Sequence, residues 1–268
     1  MSKRLASLAD PRLEDYRNVP DPELLVARGL FIAEGRLVVR RLLTSSRFTT
    51  RSLLLTPAAE ADLRDVVEAH PSLPVYVVNQ EAMNTIIGFD IHRGCLGVGE
   101  RPAPEGWRDV IEDARTMVVL EAVGNADNVG AVFRNAAAFG AGGVLLGPAC
   151  ADPLYRKAIR TSMGAALQVP FAHFSDWPAD LYRLREFGMA TIALTPNPSA
   201  LPLADVVRTP AARRRVALVL GHEGSGLSEA ALRAVDLHAR IPMAPGVDSL
   251  NVATTAAIAL YDLGRGRT

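Results

Sequence analysis

The stretch "IPMAPGVDSLNVATTAAIAL", residues 241–260, begins as a polar loop and continues as an apolar run. From residue 252 the small and aliphatic side chains predict a helix that is largely buried. Ser249 and Asn251 flank Leu250 at the beginning of this helix, where a single side chain is enough to accept from the first N–H groups. We expect Ser249 to cap or nearly cap the helix and Asn251 to lie in its first turn. A second polar side chain at this point therefore needs another explanation.

The sequence before this helix predicts an α/β fold. From about residue 115, apolar runs alternate with helical spacing, which indicates a Rossmann-like parallel sheet covered on both faces. The predicted strands are "TMVVLEAV", "GGVLLG", "MATIAL", "RVALVLG" and "HARIPM", and the predicted helices span 128–139, 153–165, 178–187, 228–234 and 250–263. Ligands of such sheets bind beyond the carboxyl ends of the strands. Polar, glycine-rich segments follow several of these strands, so we expect a site there.

The first polar segment is "GNADNVGAVFRNA", residues 124–136. Asp127 or Asn128 is predicted to cap the helix that follows. Arg134 lies six residues beyond Asn128, which is not a same-face spacing on a helix, but a long arginine can reach back towards the helix beginning. A simple cap followed by a solvated arginine stays open as the alternative. The segment is not a dinucleotide fingerprint because G-x-G-x-x-G is absent.

The second polar segment is "LVLGHEGSGLS", residues 218–228. Closely spaced glycines allow the backbone to approach a ligand. A phosphate loop is excluded because no G-K-[ST] follows and because Glu223 would repel phosphate. The segment also fails the H-E-x-x-H and G-x-S-x-G patterns. An acidic residue among exposed backbone groups suits hydroxyls, amines or a cationic ligand, whereas a tight turn with a chance glutamate is the alternative.

Composition limits the function classes. The 268 residues are 49% hydrophobic, enough for one large domain or two smaller ones, and the formal net charge is zero. Any basic surface that binds an anionic partner must therefore be local. Residues 1–51 hold ten basic and six acidic side chains, which weakly favours such a partner. A merely solvated surface stays open as the alternative. Cys95 and Cys150 are isolated, so no metal site is predicted. We expect no membrane span and a reducing, cytoplasmic location.

The first part of the chain predicts a smaller α/β domain. "LFIAEG", "SLLLTP", "PVYVVN" and "CLGVGER" are typical of short strands, and helical spacing separates the first three. The proline- and glycine-containing stretch "RPAPEGWRD", residues 101–109, is predicted to be a linker. We therefore expect domains over 1–105 and 106–268.

The ordered set of "NVGAVFRNAAAFGA", "LVLGHEGSGLS" and "IPMAPGVDSLNVATTAAIAL" resembles the SpoU (TrmH-type) family of the SPOUT superfamily, S-adenosylmethionine-dependent RNA ribose 2′-O-methyltransferases. The resemblance spans roughly residues 116–263. It implies a C-terminal trefoil knot, a homodimer, and a first domain that binds RNA substrate, with rRNA favoured over tRNA. It also implies that no metal is needed. Cofactor contacts are expected at Thr195, Gly221, Ile241, Met243 and Leu250.

The resemblance also implies the catalytic roles. Arg134 matches the family's catalytic arginine, which is thought to assist deprotonation of the ribose hydroxyl, and Asn128 matches the residue that positions it. Glu223 matches an acid that holds these groups, and Ser249 and Asn251 match the pair that orients arginine and substrate. This chain departs from the family in having Asn125-Ala126-Asp127 where Asp-Pro is common, and "HRG" where many members have His-Gln-Gly.

Two other classes of function stay open at this point. A non-catalytic RNA-binding or ribosome-assembly protein that retained the fold would bind cofactor without transferring a methyl group. An unrelated nucleotide-binding α/β hydrolase is disfavoured by the missing phosphate loop, and failure to bind S-adenosylmethionine would favour it.

Overall fold

The computed structural model describes residues 3–4, 9–17, 20–88, 90–91, 93–212 and 214–265. Its strands are β1 Lys3–Arg4, β2 Leu30–Glu34, β3 Thr49–Leu55, β4 Val75–Val77, β5 Cys95–Glu100, β6 Thr116–Leu120, β7 Gly143–Leu146, β8 Phe171–His173, β9 Met189–Leu194, β10 Leu201–Pro202, β11 Arg215–Leu220 and β12 Leu237–Arg240.

Helices lie between most of these strands. They are α1 Asp21–Arg28, α2 Arg36–Thr44, α3 Pro57–Asp62, α4 Arg64–Glu68, α5 Gln80–Ile87, α6 Trp107–Ile111, α7 Ala126–Ala138, α8 Arg156–Thr161, α9 Ala179–Arg183, α10 Leu203–Val206, α11 Glu229–Ala234 and α12 Val252–Arg265. Short 3-10 helices cover Pro11–Tyr16, Ala165–Leu167 and Leu184–Phe187. Among the described helices, none is long and apolar enough to cross a bilayer.

The chain divides into two compact units, one of 1–103 with 153–168 and the other of 104–152 with 169–268. The first unit holds a mixed sheet in the order β1-β4-β3-β5-β2, in which β5 runs antiparallel to both of its neighbours. Its α8 packs against β2, and Arg41 donates to the carbonyl of Met163 at 2.7 Å. Residues 153–168 thus belong to the first unit, although the sequence analysis assigned their predicted helix to the second block.

The second unit holds the predicted parallel sheet, with described strands in the order β10-β12-β9-β11-β6-β7-β8. Every described pairing in it is parallel. The strands β6, β7 and β11 are buried almost throughout, as expected for a sheet covered on both faces. The α/β fold class is therefore confirmed. The strands β8 and β10 were not predicted because three and two residues carry no readable periodicity.

Helices cover both faces of this sheet. On one face, a core cluster joins α6, α9 and α11 to the strands, and Trp107 lies at its edge against Phe174 and Phe187 with ring centroids 5.5 and 5.6 Å apart. The helices α7 and α12 pack against each other and contact β7 and β11 respectively. The prediction of a linker over 101–109 was wrong at its end, because helix α6 begins at Trp107, whose side chain is buried.

Candidate active site

Three loops of the second unit meet beyond the carboxyl ends of its strands. The loop after β6 leads into α7, the loop after β11 leads into α11, and the loop after β12 leads into α12. Parallel strands bring their carboxyl ends to one edge of the sheet, which is why segments far apart in sequence become neighbours.

Hydrogen bonds between side chains join these loops. Asn251 Nδ2 donates to Asn128 Oδ1 at 2.9 Å, and Asn128 Nδ2 donates to Glu223 Oε1. Glu223 and Asn251 come from the second and third loops, and Asn128 lies in the first turn of α7, directly after the first loop. We call Glu223, Asn128 and Asn251 the loop network.

The direction of the hydrogen bonds in the loop network is set by α12. The backbone N–H groups of Ala253 and Thr254 donate to Asn251 Oδ1, at 2.9 and 3.4 Å, so this oxygen caps α12. The amide nitrogen of Asn251 is then left to face Asn128, whose own nitrogen faces Glu223. A carboxylate only accepts hydrogen bonds, so both ends of the network enforce one orientation of both amides.

The predicted caps were wrong in both helices. Asn251, not Ser249, caps α12. Asn125, not Asp127 or Asn128, caps α7, because its Oδ1 accepts from the backbone of Asp127 at 2.9 Å. Asn128 therefore lies within the first turn of α7, and its side chain is free to bond across to the other loops.

A cavity of about 310 Å³ opens beside the loop network. Glu223 and Ser249 line it. So do all five residues predicted to contact the cofactor, which are Thr195, Gly221, Ile241, Met243 and Leu250. Its wall combines aliphatic side chains with exposed backbone and a few polar groups. Cavities of this size and lining are typical of sites for small organic ligands.

Glycines shape one wall of the cavity. A Cβ on Gly221 would lie 2.5 Å from the carbonyl oxygen of Gly226, so a side chain at this position would displace backbone. Gly226 has a φ of 70°, in the left-handed region that favours glycine. The close spacing of glycines in the sequence therefore reflects one tight turn as well as ligand access.

Arg134 is not part of the loop network. It is exposed on α7, and no hydrogen bond or ion pair ties it to any residue that the structure describes. Its neighbour Asn135 instead donates to the carbonyl of Ala253 at 2.7 Å and joins α7 to α12. Arg134 is thus a cation on a fixed helix, and its guanidinium is available to a substrate.

The sequence analysis missed Glu121, at the carboxyl end of β6. This buried carboxylate accepts from the backbone N–H and the hydroxyl of Ser228, at 2.9 and 2.7 Å, and from Trp177 Nε1 at 2.7 Å. It therefore anchors the far end of the glycine-rich loop at the point where α11 begins. An acidic residue that ends an otherwise apolar strand was the signal for it in the sequence.

Burial keeps both cysteine thiols in their neutral form. Burial raises the pKa of Cys150 to about 11 and the pKa of Cys95 to about 12. Both groups are therefore protonated at neutral pH, and a thiol is a weak nucleophile and a weak metal ligand. No cluster of three or more histidine, cysteine or carboxylate side chains suited to a metal occurs among the described residues.

The chain is similar to known RNA methyltransferases. Residues 115–261 match the family described as SpoU rRNA Methylase. A protein of Mycobacterium tuberculosis described as an uncharacterized tRNA/rRNA methyltransferase is 44% identical over 260 residues, which cover 96% of this chain and 89% of that protein. A 23S rRNA guanosine 2′-O-methyltransferase of Bacillus subtilis is 23% identical over 97% of this chain and 99% of its own length.

A solved structure is similar over almost the whole chain. It is an AdoMet-bound rRNA methyltransferase from Sinorhizobium meliloti, with a TM-score of 0.82 and 24% identity over 98% of each chain. At this identity, the similarity is one of fold.

The cap at Asn251 gives a direct test of the loop geometry. Asn251→Ala removes the acceptor for the first N–H groups of α12 and should lower the free energy of unfolding by about 1 kcal/mol. Asn251→Ser keeps a capping oxygen and should retain most of that stability. Urea unfolding followed by circular dichroism measures both. Equal loss in the two variants would contradict the capping role.

Proposed function

The chain belongs to the SpoU rRNA methylase family, and from this premise we propose that it transfers a methyl group to the 2′-hydroxyl of a ribose in structured RNA. It is an RNA methyltransferase, and its cofactor is S-adenosylmethionine. The observation that carries the choice of a hydroxyl as acceptor is the loop network, which fixes a carboxylate and two amides beside the cavity. We favour rRNA over tRNA, and we place the protein in the cytoplasm.

The cavity fits the cofactor chemically. Leu194, Leu220, Ile241 and Leu250 supply apolar surface for a nucleoside, and Thr195 and the turn around Gly221 supply hydrogen-bonding groups. When bound, the cofactor supplies a sulfonium methyl group that a nucleophile can accept. We assign Thr195, Gly221, Ile241, Met243 and Leu250 to its binding.

The remaining task for the protein is alignment of the hydroxyl. We propose that Glu223, Asn128 and Asn251 hold the three loops in one arrangement, and that Ser249 faces the substrate at the mouth of the cavity. Holding reacting groups in line can contribute about 7–11 kcal/mol to catalysis.

We propose that Arg134 contacts the RNA. A guanidinium has five N–H donors and no acceptor, so it suits binding a phosphate and polarising a hydroxyl better than removing a proton. Its lack of a partner among the described residues fits this assignment. A carboxylate held in this way beside a cofactor cavity argues against the alternative of a non-catalytic RNA-binding protein.

The first unit, with the predicted domain of 1–105, is proposed to bind RNA. Arg93 is exposed near the carboxyl end of β2, where its side chain passes over Gly35, and no ion pair ties it to a described residue. By contrast, Arg40 of the same unit forms two hydrogen bonds with Asp65, at 2.5 and 3.0 Å. An unneutralised guanidinium attracts phosphate more strongly than a paired one.

We also propose a C-terminal trefoil knot and a homodimer. The convergence of the 221–228 and 241–251 segments on one cavity supports the knot. A crystal structure in which residues 241–265 pass outside every loop would contradict it. For the dimer, Phe139, directly after α7, and Tyr261, on α12, pack edge to face. They are 42% and 51% exposed, and they form an apolar surface suited to a second copy of the chain.

Arg134→Ala is expected to reduce methyl transfer to RNA at least a hundredfold because the hydroxyl loses its cationic partner, while cofactor affinity changes less than twofold. Transfer from radiolabelled S-adenosylmethionine and calorimetric titration measure the two effects. Arg233→Ala is the matched control, since this exposed arginine of α11 is paired with Glu229. Full turnover by Arg134→Ala would contradict its role; cofactor binding without any transfer by the unsubstituted protein would favour the non-catalytic alternative.

Arg93→Ala is expected to weaken RNA binding about threefold to tenfold and to lower the slope of affinity against salt by about one phosphate contact. Arg40→Ala removes the same charge from a paired position and should change affinity less. Filter binding of rRNA fragments across a salt series measures both. Equal effects of the two substitutions would show that only bulk charge matters.

The dimer predicts a mass in solution of twice the 28.7 kDa of one chain. Joint replacement of Phe139 and Tyr261 by serine should shift the protein to a monomer because the apolar surface is lost. Replacement of Tyr182 by serine is the control, since this side chain is 45% exposed on α9. Light scattering gives the masses, and a monomeric unsubstituted protein would contradict the proposal.

A further inference from the structure

The turn from His222 to Gly226 is closed twice. His222 and Gly226 exchange two backbone hydrogen bonds, with N···O distances of 3.2 and 2.9 Å. The exposed imidazole of His222 closes the turn a second time, because its Nδ1 accepts from the backbone N–H groups of Gly224 and Ser225 at 2.9 and 3.1 Å.

These bonds fix the protonation state of the ring. A backbone N–H can only donate, so Nδ1 must carry its lone pair and the ring proton must lie on Nε2. A proton on Nδ1 would point at two N–H groups and would break both hydrogen bonds. The two bonds to Nδ1 therefore require the neutral imidazole, whereas the backbone pair between His222 and Gly226 does not.

The turn also bears on the cavity and on the loop network. His222, Glu223, Gly224 and Gly226 all line the cavity, and Glu223 is the residue that accepts from Asn128. A Cβ on Gly224 would lie 3.3 Å from the ring of His222, so the exposed imidazole lies directly against the backbone of this glycine. The position of the Glu223 carboxylate thus depends on the bonds made by the preceding side chain.

We propose that His222 is a positioning residue whose neutral imidazole holds the 222–226 turn in the shape that binds S-adenosylmethionine. This inference rests on the proposed cofactor site.

Substitution by asparagine keeps an acceptor in the turn, and substitution by alanine removes it. An asparagine side chain can accept from the N–H groups two and three residues ahead, as in an Asx turn. His222→Asn should therefore keep the turn closed, whereas His222→Ala leaves the N–H groups of Gly224 and Ser225 without this acceptor. His238→Asn is the matched control, because this exposed imidazole on β12 contacts the carbonyl of Leu232 away from the cavity.

The experiment is calorimetric titration of the full chain with S-adenosylmethionine at pH 7.5. The loss of two hydrogen bonds corresponds to about a tenfold change in affinity. His222→Asn and His238→Asn should bind as tightly as the unsubstituted protein, because both keep an acceptor in the turn. His222→Ala should bind about tenfold more weakly than the unsubstituted protein at pH 7.5, with an unchanged melting temperature.

Two results would overturn the inference alone: wild-type affinity of His222→Ala at pH 7.5, or a loss of affinity in His222→Asn as large as that in His222→Ala. Failure of the unsubstituted protein to bind the cofactor would overturn the proposed function and this inference with it. Binding without transfer to RNA would contradict the proposed reaction but leave the role of His222 supported.

Discussion

The geometry of the site depends on the hydrogen bond between Asn251 and Asn128. The free N–H groups at the beginning of α12 require an acceptor, and Asn251 Oδ1 supplies it. This requirement turns the amide nitrogen towards Asn128, which in turn directs its own nitrogen to Glu223. A local need of one helix thus sets the position of a carboxylate on a loop that lies 28 residues earlier in the sequence.

The loop that carries Glu223 is constrained from three sides. Asn128 holds the carboxylate, the imidazole of His222 holds the turn, and Glu121 holds Ser228 at the beginning of α11. Glu121 is buried, and each of its three donors would lose a hydrogen bond without it, at about 1–3 kcal/mol for each unsatisfied group. Such a loop keeps its shape before a ligand arrives, which lowers the entropic cost of binding and alignment.

Most of the fold of the second unit could be predicted from its sequence. Buried parallel strands are continuous apolar runs, and the carboxyl ends of parallel strands lie at the same edge of the sheet. The choice of cap could not be predicted in the same way. Serine and asparagine are equally good caps, and only Asn128 in the first turn of α7, which accepts from the amide of Asn251, distinguishes Asn251 from Ser249. The placement of 153–168 in the first unit could not be predicted from the sequence either. An apolar residue such as Ile159, which is buried, predicts that its helix face is covered but does not identify the element that covers it. Glu121 and His222 needed the structure because their partners are mostly backbone N–H groups and a hydroxyl, which no spacing reveals.

We propose that this arrangement directs a methyl group to a ribose oxygen and not to a base. Alkaline hydrolysis of rRNA labelled by the protein with methyl-labelled S-adenosylmethionine, followed by mass spectrometry, distinguishes the two acceptors. A 2′-O-methyl group blocks the hydroxyl that attacks the next phosphate, so we expect the label in alkali-resistant dinucleotides. Label recovered in mononucleotides with a methylated base would contradict it.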